Sequence, residues 1–445
     1  MESRSDVGDF AGTVWRPPPG KRGVFLHGRL VRWGGKGLRV RRLGGTRAGE
    51  IRLTRFLRNR SVTPQAMVLE AAGRTAPRCA GRHVLAIQDT TVFKSDGGGG
   101  LYLHAMLALD ADDDAILGLV HADILSRDGG KRAQRRDLPV SAKESQRWLD
   151  GADRAAEVCG SAERVTVIAD RESDIFEAFA RRPGSVDLLV RAAQDRCLED
   201  GGRLFALLDA MPPAASALLS LPARPGARAR QARMAVRFTP AVLARPRNGA
   251  APGLPAGVAV NMVDVREIDP ADGQAVHWRL LTTLPVEDAG QALAAAELYR
   301  RRWAIEQLFR TLKTQGFDIE GLRIEDDAPR CNLVMAALVA AVTVQQLVHA
   351  REGRAGPRPI QPLTDAFEPE DTALIEALSK TLEGKTQRQK NPHPRGSLAF
   401  AAWVCARLGG WTGYYGKPGP VVMLQGWLQL QAAKQGFNLR AYPDV

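Results

Sequence analysis

The stretch YRRRWAIEQLFRTLK, which runs from Tyr299 to Lys313, is the most informative part of the chain. Apolar residues recur in it at helical spacing and the pattern continues on both sides, which predicts one long helix over residues 291–315. At about 100° per residue, one carboxylate and three cations share a face of that helix with Tyr299, within an arc of about 80°. Solvated i,i+4 ion pairs would explain the same pattern, at tenths of a kcal/mol each. The four charged residues are Arg302, Glu306, Arg310 and Lys313.

Two aspartates stand after short apolar segments earlier in the chain. Residues 83–88 and 164–169 are predicted strands, and Asp89 and Asp170 follow them directly. An acid there lies at the sheet edge where ligands collect in open α/β folds, although each aspartate alone also fits a turn or a helix cap. Together with Glu306 they fit one chemistry, in which carboxylates hold two divalent cations for phosphodiester displacement. The cations beside Glu306 would hold phosphates.

The rest of the pattern predicts a mixed α/β fold. A run of aspartates at 112–114 is the expected tip of a hairpin, and His104 is expected to be a core histidine with a satisfied side chain. Glu172 and Asp174 are interpreted as caps of the helix that follows them, and Ser141 as the cap of an earlier helix. The predicted strands lie at 101–109, 115–125, 186–190, 258–265 and 276–284, and the predicted helices at 142–159, 175–181, 333–348 and, as two or three helices, between 374 and 442.

Charge is concentrated at one end of the chain. The 445 residues carry a net charge of +13, and the segment through Arg60 holds 15 Lys and Arg against four Asp and Glu. A basic total is typical of proteins that bind nucleic acid. Residues 1–48 are rich in Gly, Pro and Arg without a helical or strand period, so we expect them to be disordered.

Composition argues against several other classes. The five cysteines are scattered and never form a C-x-x-C pair, so we interpret them as buried small side chains rather than disulfides or zinc ligands. The first residues lack the basic and apolar segments of a secretory signal. The longest apolar run, residues 333–344, is short of the roughly 20 residues that a membrane span needs. We therefore expect a soluble cytoplasmic protein without a membrane partner.

With these residues, the sequence resembles the bacterial cut-and-paste DDE transposases of the transposon-five type, in the insertion-sequence-four family. The resemblance covers about residues 54–440. Its most specific part is the last of three motifs, because four residue types recur there at fixed offsets. The motifs are Leu85-Ala-Ile-Gln-Asp89-Thr-Thr, Ala169-Asp170-Arg-Glu-Ser-Asp174-Ile and Tyr299-x2-Arg302-x3-Glu306-x6-Lys313.

The resemblance implies a catalytic site and its ligands. Asp89, Asp170 and Glu306 match the catalytic carboxylates, which bind two Mg²⁺ ions per active site, with Mn²⁺ able to substitute. Trp278 matches a tryptophan that stacks on a flipped base, although a Trp packed beneath the strand at 276–284 is the structural alternative. The other residues that match DNA-binding positions are Tyr299, Arg302, Lys313, Arg191 and Arg310.

The fold implied is a ribonuclease-H-like α/β core with an inserted β-rich subdomain and a helical C-terminal region. The first 48 residues do not resemble the helical module with which the family recognises transposon ends. The expected organisation is a disordered segment at 1–48, a remnant of the N-terminal DNA-binding helical region at 49–80, the first part of the catalytic core at 81–195, the β-rich insertion at 196–285, the second part of the core with the Glu306 helix at 286–360 and a helical dimerisation region at 361–445.

The implied function is cut-and-paste transposition of an insertion sequence by hydrolysis, hairpin formation and strand transfer. Its partners are double-stranded DNA, as transposon ends and target, and a second copy of the chain on the DNA ends, in a bacterial cytoplasm at the nucleoid. Two alternatives stay open. One is a catalytically inactive or truncated transposase-derived DNA-binding protein or inhibitor, and the other is a non-transposing nuclease on the same fold.

Overall fold

The computed structural model describes most of the chain as two compact units. The first unit comprises residues up to Cys79, Thr90–Arg127 and Ile305 onward, and the second comprises Ala80–Asp89 and Asp128–Ala304. Ser141 and most of the segment 1–48 lie outside the described residues. The described residues are 40–44, 46–93, 100–125, 143–221, 230–247, 253–270, 275–322, 324, 326–353, 360–414 and 416–441.

The described residues contain both helices and strands, so the expected mixed α/β class is confirmed. The strands are β1 (His83–Phe93), β2 (Leu101–Asp110), β3 (Ile116–Leu125), β4 (Arg164–Ala169), β5 (Val186–Arg191), β6 (Ala215–Leu221), β7 (Arg230–Ala244), β8 (Gly257–Glu267) and β9 (His277–Thr282). The helices are α1 (Val40–Gly44), α2 (Arg47–Leu57), α3 (Pro64–Thr75), α4 (Gln146–Val158), α5 (Phe176–Arg181), α6 (Leu204–Ala210), α7 (Ala289–Arg300), α8 (Trp303–Lys313), α9 (Asp327–Ala350), α10 (Asp371–Leu382), α11 (Leu398–Leu408) and α12 (Pro420–Ala441).

The second unit is built on a sheet in the order β1-β4-β5-β9-β8-β7-β6. β1, β4 and β5 run parallel, and every later pair is antiparallel. Val84–Ile87 and Val165–Ala169 are buried continuously rather than alternately, as expected for parallel strands covered on both faces. The strands of the segment predicted as a β-rich insertion, residues 196–285, extend this same sheet, and β6 and β7 were not predicted individually.

Helix α7 packs against β5, β7 and β8 of that sheet. Asp288 starts the helix, because its carboxylate accepts a hydrogen bond from the Gln291 backbone N at 2.9 Å. The buried residues recur at helical spacing and are mostly alanines, which let the helix approach the strands closely. The last of them places a tyrosine at the end of the helix, next to the sheet. The buried positions are Ala292, Ala295, Ala296 and Tyr299.

The first unit surrounds the long helix α9. Strands β2 and β3 form an antiparallel hairpin whose turn lies at residues 111–113, as predicted. Helix α9 packs against β3, α3, α11 and α12. Its length and hydropathy would suffice to cross a membrane, and 83% of the apolar window is buried, as in the core helix of a globular protein. No other helix of the described segments meets that length and hydropathy criterion.

Several predictions of local structure were wrong. The helix expected over 291–315 is two helices, α7 and α8, separated at Arg301 and Arg302. Asp89 lies inside β1 and not after its end. Helix α4 begins at Gln146, and residues 40–44 and 47–48 of the expected disordered segment are helical.

The structure confirms the interpretation of His104 but not that of every cysteine. His104 is fully buried, and its Nδ1 lies 3.0 Å from the Thr90 hydroxyl. Three of the cysteines are buried, whereas Cys197 is exposed and Cys331 is half-buried, so the expectation of five buried thiols was wrong. Among the described residues, the three helices α10, α11 and α12 agree with the two or three helices expected between residues 374 and 442.

Helices α11 and α12 meet backbone to backbone. A Cβ placed on Gly426 would lie 1.6 Å from the carbonyl oxygen of Cys405, and one placed on Gly409 would lie 2.1 Å from that of Val422. Both distances are far inside van der Waals contact, so no larger residue fits without a shift of the backbone.

Replacement of Gly426 by alanine is expected to lower the free energy of unfolding by about 1–3 kcal/mol, because the added methyl group overpacks the helix interface. Gly73→Ala is the control, since Gly73 is exposed inside α3 and an added Cβ meets nothing within 4 Å. That change should raise stability by about 0.5–1 kcal/mol. Denaturant unfolding measures both, and an unchanged midpoint for Gly426→Ala would contradict the close approach.

Candidate active site

Parallel pairing of β1 with β4 brings two aspartates of the second unit together. The register runs without a shift from His83 opposite Arg164 to Ile87 opposite Ile168. Extended by two residues, it places Asp170 beside Asp89. Asp89 therefore projects from within a strand, whereas Asp170 is the first residue after one, at the sheet edge that the sequence predicted.

The turn after β4 holds Asp170 in an extended conformation. Its φ and ψ are −87° and −170°, and a 3-10 turn, Arg171–Ser173, follows. The Asp170 carbonyl accepts hydrogen bonds from the Ser173 backbone N at 3.0 Å and from the Ser173 hydroxyl at 2.8 Å. These two bonds turn the chain away from the sheet and leave the Asp170 carboxylate at its edge.

One guanidinium bridges the two carboxylates. Arg302 Nη1 donates to Asp89 Oδ2 at 2.9 Å, and Arg302 Nη2 lies 3.7 Å from Asp170 Oδ2. The Arg302 side chain is only 11% exposed, whereas the carboxylates are 22% and 32% exposed. Two like charges on neighbouring strands repel, so a nearly buried cation between them stabilises the pair and orients both groups.

Arg302 reaches this position because the helix is interrupted beside it. The Arg301 backbone N bonds to the Leu298 carbonyl at 3.1 Å, and the Arg302 backbone N bonds to that of Tyr299 at 3.0 Å. These i to i+3 bonds tighten the last turn of α7, and α8 begins at Trp303. The sequence had suggested that Tyr299 and Arg302 share one face of a continuous helix with Glu306, Arg310 and Lys313. The interruption shows that no such continuous helix exists.

Tyr299 supports Asp170 from the other side. Its hydroxyl donates to Asp170 Oδ1 at 3.2 Å, and its ring lies edge-on to Trp278, with centroids 5.6 Å apart. Burial raises the pKa of the Tyr299 phenol, and although Arg302 and Arg191 oppose this shift, the nearby Asp170 carboxylate reinforces it. The phenol is therefore protonated at neutral pH and acts as a hydrogen-bond donor to the carboxylate.

Trp278 and Arg191 flank this group on the adjacent strands. Trp278 lies in β9 and is 8% exposed. Its indole is therefore packed against the protein, as expected from the structural alternative to base stacking. Arg191 ends β5, and its Nη2 donates to the His277 carbonyl at 3.0 Å. The second unit thus brings six of the nine predicted site residues together, namely Asp89, Asp170, Arg191, Trp278, Tyr299 and Arg302.

The other three predicted residues lie on α8 in the first unit. Glu306 is in the first turn of α8 and is half-buried, as is Arg310 one turn later. Lys313 Nζ donates to the Val92 carbonyl at 2.6 Å and lies 5.4 Å from the centre of the Phe93 ring. The apolar side of the helix is buried through Ile305, Leu308, Phe309 and Leu312.

Asp174 has a role that the sequence did not reveal. It is buried, and its carboxylate accepts hydrogen bonds from the backbone N of Ala193 at 2.8 Å, from that of Gln194 at 3.1 Å and from Arg196 Nε at 2.7 Å. Asp174 therefore ties the turn after Asp170 to the segment after β5. The interpretation as a helix cap was wrong, because the N-cap of α5 is Ile175 and the Asp174 carboxylate bonds instead to the segment after β5.

Glu172 was also misinterpreted. Its carboxylate accepts a hydrogen bond from Arg147 Nη2 at 2.7 Å rather than capping α5. The only local indication of a role for Glu172 was its position in the second aspartate motif. That position fits a helix cap and an ion pair with a distant residue equally well.

A second buried acid anchors the strand that carries Trp278. Asp264 in β8 accepts a hydrogen bond from His277 Nε2 at 2.5 Å, and it lies 3.4 Å from Arg237 Nη1 and 3.5 Å from Arg279 Nε. Burial alone would raise the pKa of Asp264, but the bond from His277 and the three nearby cationic groups lower it. This carboxylate is therefore ionised, and it fixes the start of β9.

The aspartate pair has the donor chemistry of a site for a hard divalent cation. Mg²⁺ is commonly held by one or two carboxylates, while water and substrate phosphates complete its shell. Asp89 and Asp170 already share one cation, the Arg302 guanidinium, so their oxygens converge. Among the described residues, no group of three or more His, Cys, Asp or Glu side chains could hold a metal ion. The pair fits a metal that is bound partly by other ligands.

Tyr299→Phe should not change the number of phenols that ionise in the folded, metal-free protein up to about pH 11. The raised pKa keeps the Tyr299 phenol protonated over that range, so this phenol does not contribute to the titration of the folded wild type. In concentrated urea, Tyr299→Phe should instead remove one of five tyrosine signals near pH 10. Because the folded pKa is the higher one, the stabilisation linked to Tyr299 is complete below about pH 10 and is lost as the pH rises further. Ultraviolet absorbance measures the titration, and a smaller signal from the folded variant below pH 11 would contradict the burial.

The chain also matches a known protein family. Residues 114–342 match the family model described as a transposase DDE domain, which is more than half of the chain. The match includes Asp170, Tyr299, Arg302 and Glu306, whereas Asp89 precedes it. The chain belongs to the DDE transposase family.

Proposed function

We propose that this chain is a cut-and-paste DNA transposase of the transposon-five type, in the insertion-sequence-four family, with a ribonuclease-H-like core. Family membership implies a DNA substrate and a divalent metal ion in general terms. The observation that carries the finer proposal is the pair Asp89 and Asp170, which lie on neighbouring parallel strands and share Arg302. The antiparallel strands that follow β5 support the proposed β-rich insertion at residues 196–285.

The proposed catalytic carboxylates are Asp89, Asp170 and Glu306. They would hold two Mg²⁺ ions, or Mn²⁺ in their place, which when bound activate the attacking oxygen and stabilise the leaving oxygen. The place of Glu306 in this set rests on the sequence motif. Tyr299 occupies one oxygen of Asp170 through its hydrogen bond, which leaves the other oxygen directed toward Asp89 and Arg302.

The proposed DNA contacts are made by cationic side chains and by Trp278. Arg302 has a planar donor group that can serve a phosphate as well as a carboxylate, and Lys313, Arg310 and Arg191 would add further phosphate contacts. Stacking of Trp278 on a flipped base would require the indole to leave its packed position. A homodimer formed on DNA ends, with residues 361–445 as its surface, completes the proposal.

The proposed function is tested by cleavage of DNA that carries the inverted repeats flanking the gene, in the presence of Mn²⁺. We expect Asp89→Asn, Asp170→Asn and Glu306→Gln each to reduce nicking by about 100-fold or more, since even partners of metal ligands cost 10- to 100-fold. Glu297→Gln is the control, because Glu297 pairs with Arg300 on the exposed side of α7. Full cleavage by Glu306→Gln would remove Glu306 from the proposed triad.

The products of the same reaction separate the proposed function from its alternatives. Hairpin ends and insertion into a target plasmid are expected of a cut-and-paste transposase. Nicking without strand transfer would instead indicate a nuclease, and binding without nicking would indicate a DNA-binding protein or inhibitor.

Arg302→Gln should strengthen Mn²⁺ binding by about three- to tenfold, because the guanidinium that competes for Asp89 and Asp170 is removed. Calorimetry on the DNA-free protein measures this affinity. Arg300→Gln is the matched control, since Arg300 pairs with Glu297 and should leave the affinity unchanged. Weaker Mn²⁺ binding by Arg302→Gln would show that Arg302 organises the site rather than competing with the metal.

A further inference from the structure

The first unit contains a cavity of about 310 Å³ among its C-terminal elements. It lies between the residues that follow α9, the 3-10 turn Gln387–Gln389, one side of α11 and the loop before α12. This volume is within the range of small-molecule sites, which begins near 300 Å³. The lining is notable for two tryptophans and four cations, namely Trp403, Trp411, Arg351, Arg388, Lys390 and Lys417.

The two tryptophans are held in place by the protein itself. Trp403 lies in α11 and is 4% exposed, and the guanidinium carbon of Arg407 lies 5.6 Å from its ring centre. Trp411 Nε1 donates to the Gly416 carbonyl at 3.0 Å, and its backbone N donates to that of Ala406 at 2.9 Å. An aromatic wall that is already ordered loses little entropy when a planar ligand packs against it.

Arg407 fixes the loop that carries Trp411. Its Nη1 donates to the Trp411 carbonyl at 3.1 Å and to the Thr412 carbonyl at 2.6 Å, while Nη2 donates to the Leu382 carbonyl at 3.2 Å. Arg407 thereby connects the loop to α10 and α11. These bonds hold residues 411–412 of the cavity wall in place.

The charges around the cavity are unevenly compensated. Glu352, the one acid in the lining, accepts Lys417 Nζ at 2.7 Å and lies 3.8 Å from Arg351 Nη2. The exposed side chains of Arg388 and Lys390 form no ion pair or hydrogen bond with any residue in the part of the chain that the structure describes. Two positive charges therefore remain at the rim without an acidic partner.

A tryptophan packed by arginine is common in helical cores and needs no ligand. That interpretation explains Trp403 and Arg407, but it explains neither the space beside them nor the two uncompensated cations at its rim. An apolar ligand would leave those charges unused, and a bare anion would leave the indoles unused. A ligand that is both aromatic and anionic satisfies both features.

We propose that this cavity binds a nucleotide. The base packs against the indole of Trp411, beside the small exposed part of Trp403, and the phosphate is held by Arg388 and Lys390. The same chemistry is offered by a free mononucleotide and by one nucleotide of a single-stranded DNA segment. The proposal uses none of the carboxylates of the candidate active site and does not depend on the proposed function.

The proposal is tested on the full-length protein in the presence of a chelator, with thymidine 5′-monophosphate and a short labelled oligothymidylate as probes. Arg388→Gln combined with Lys390→Gln should weaken binding of the probe by about tenfold or more and reduce its salt dependence. Lys385→Gln is the matched control, because Lys385 is an exposed cation nearby that does not line the cavity. Thermal unfolding of the variants verifies that they fold.

Two further readouts identify the ligand and the stacking. Nucleotide should quench the tryptophan fluorescence of the wild type, and Trp411→Phe should reduce that quenching. Comparable affinity for both probes would identify a free nucleotide, and tighter binding of the oligonucleotide would identify single-stranded DNA. Equal affinity of the double variant and Lys385→Gln, or no binding of either probe, would overturn the proposal.

Discussion

The contact on which the candidate site depends is the single guanidinium shared by Asp89 and Asp170. Parallel pairing of β1 and β4 brings the two carboxylates together, and their like charges would repel without a cation between them. Arg302 supplies that cation because the helix is interrupted at Arg301 and Arg302, between α7 and α8. Strand pairing, helix interruption and charge compensation are therefore parts of one arrangement.

This arrangement is supported by buried polar groups beneath it. Tyr299 holds Asp170 by a hydrogen bond, and Asp174 holds the turn after Asp170 against the segment after β5. Asp264 anchors the start of β9, from which Trp278 packs against Tyr299. Each of the two buried acids is paired with several donors, so burial leaves neither carboxylate without partners. Sites that must hold metal ions and phosphates in defined positions benefit from such rigid support.

The strands that carry the aspartates, the hairpin and the C-terminal helices could be predicted because their apolar residues follow local periods. The interruption at Arg301 and Arg302 could not be predicted. A helical period of about 100° per residue shows which side chains are apolar, but it does not show where the backbone hydrogen bonds change from the i+4 to the i+3 pattern. Strands β6 and β7 were missed because β6 contains no β-branched residue and because arginines and a proline interrupt the apolar residues of β7. Asp174 and Glu172 were misassigned because their partners lie about 20 residues away or more.

Residue order alone was enough to indicate the chemistry and the family, because the acid and base motifs are short, ordered and specific in their spacing. The pairing of Asp89, Arg302 and Asp170, the burial of Trp278 and the aromatic, cationic cavity near Trp411 emerge only in the folded chain. Their members are separated by tens to hundreds of residues, and strand register and helix packing bring them together. Local patterns carry no record of such contacts, since tertiary packing selects them after the local elements are formed.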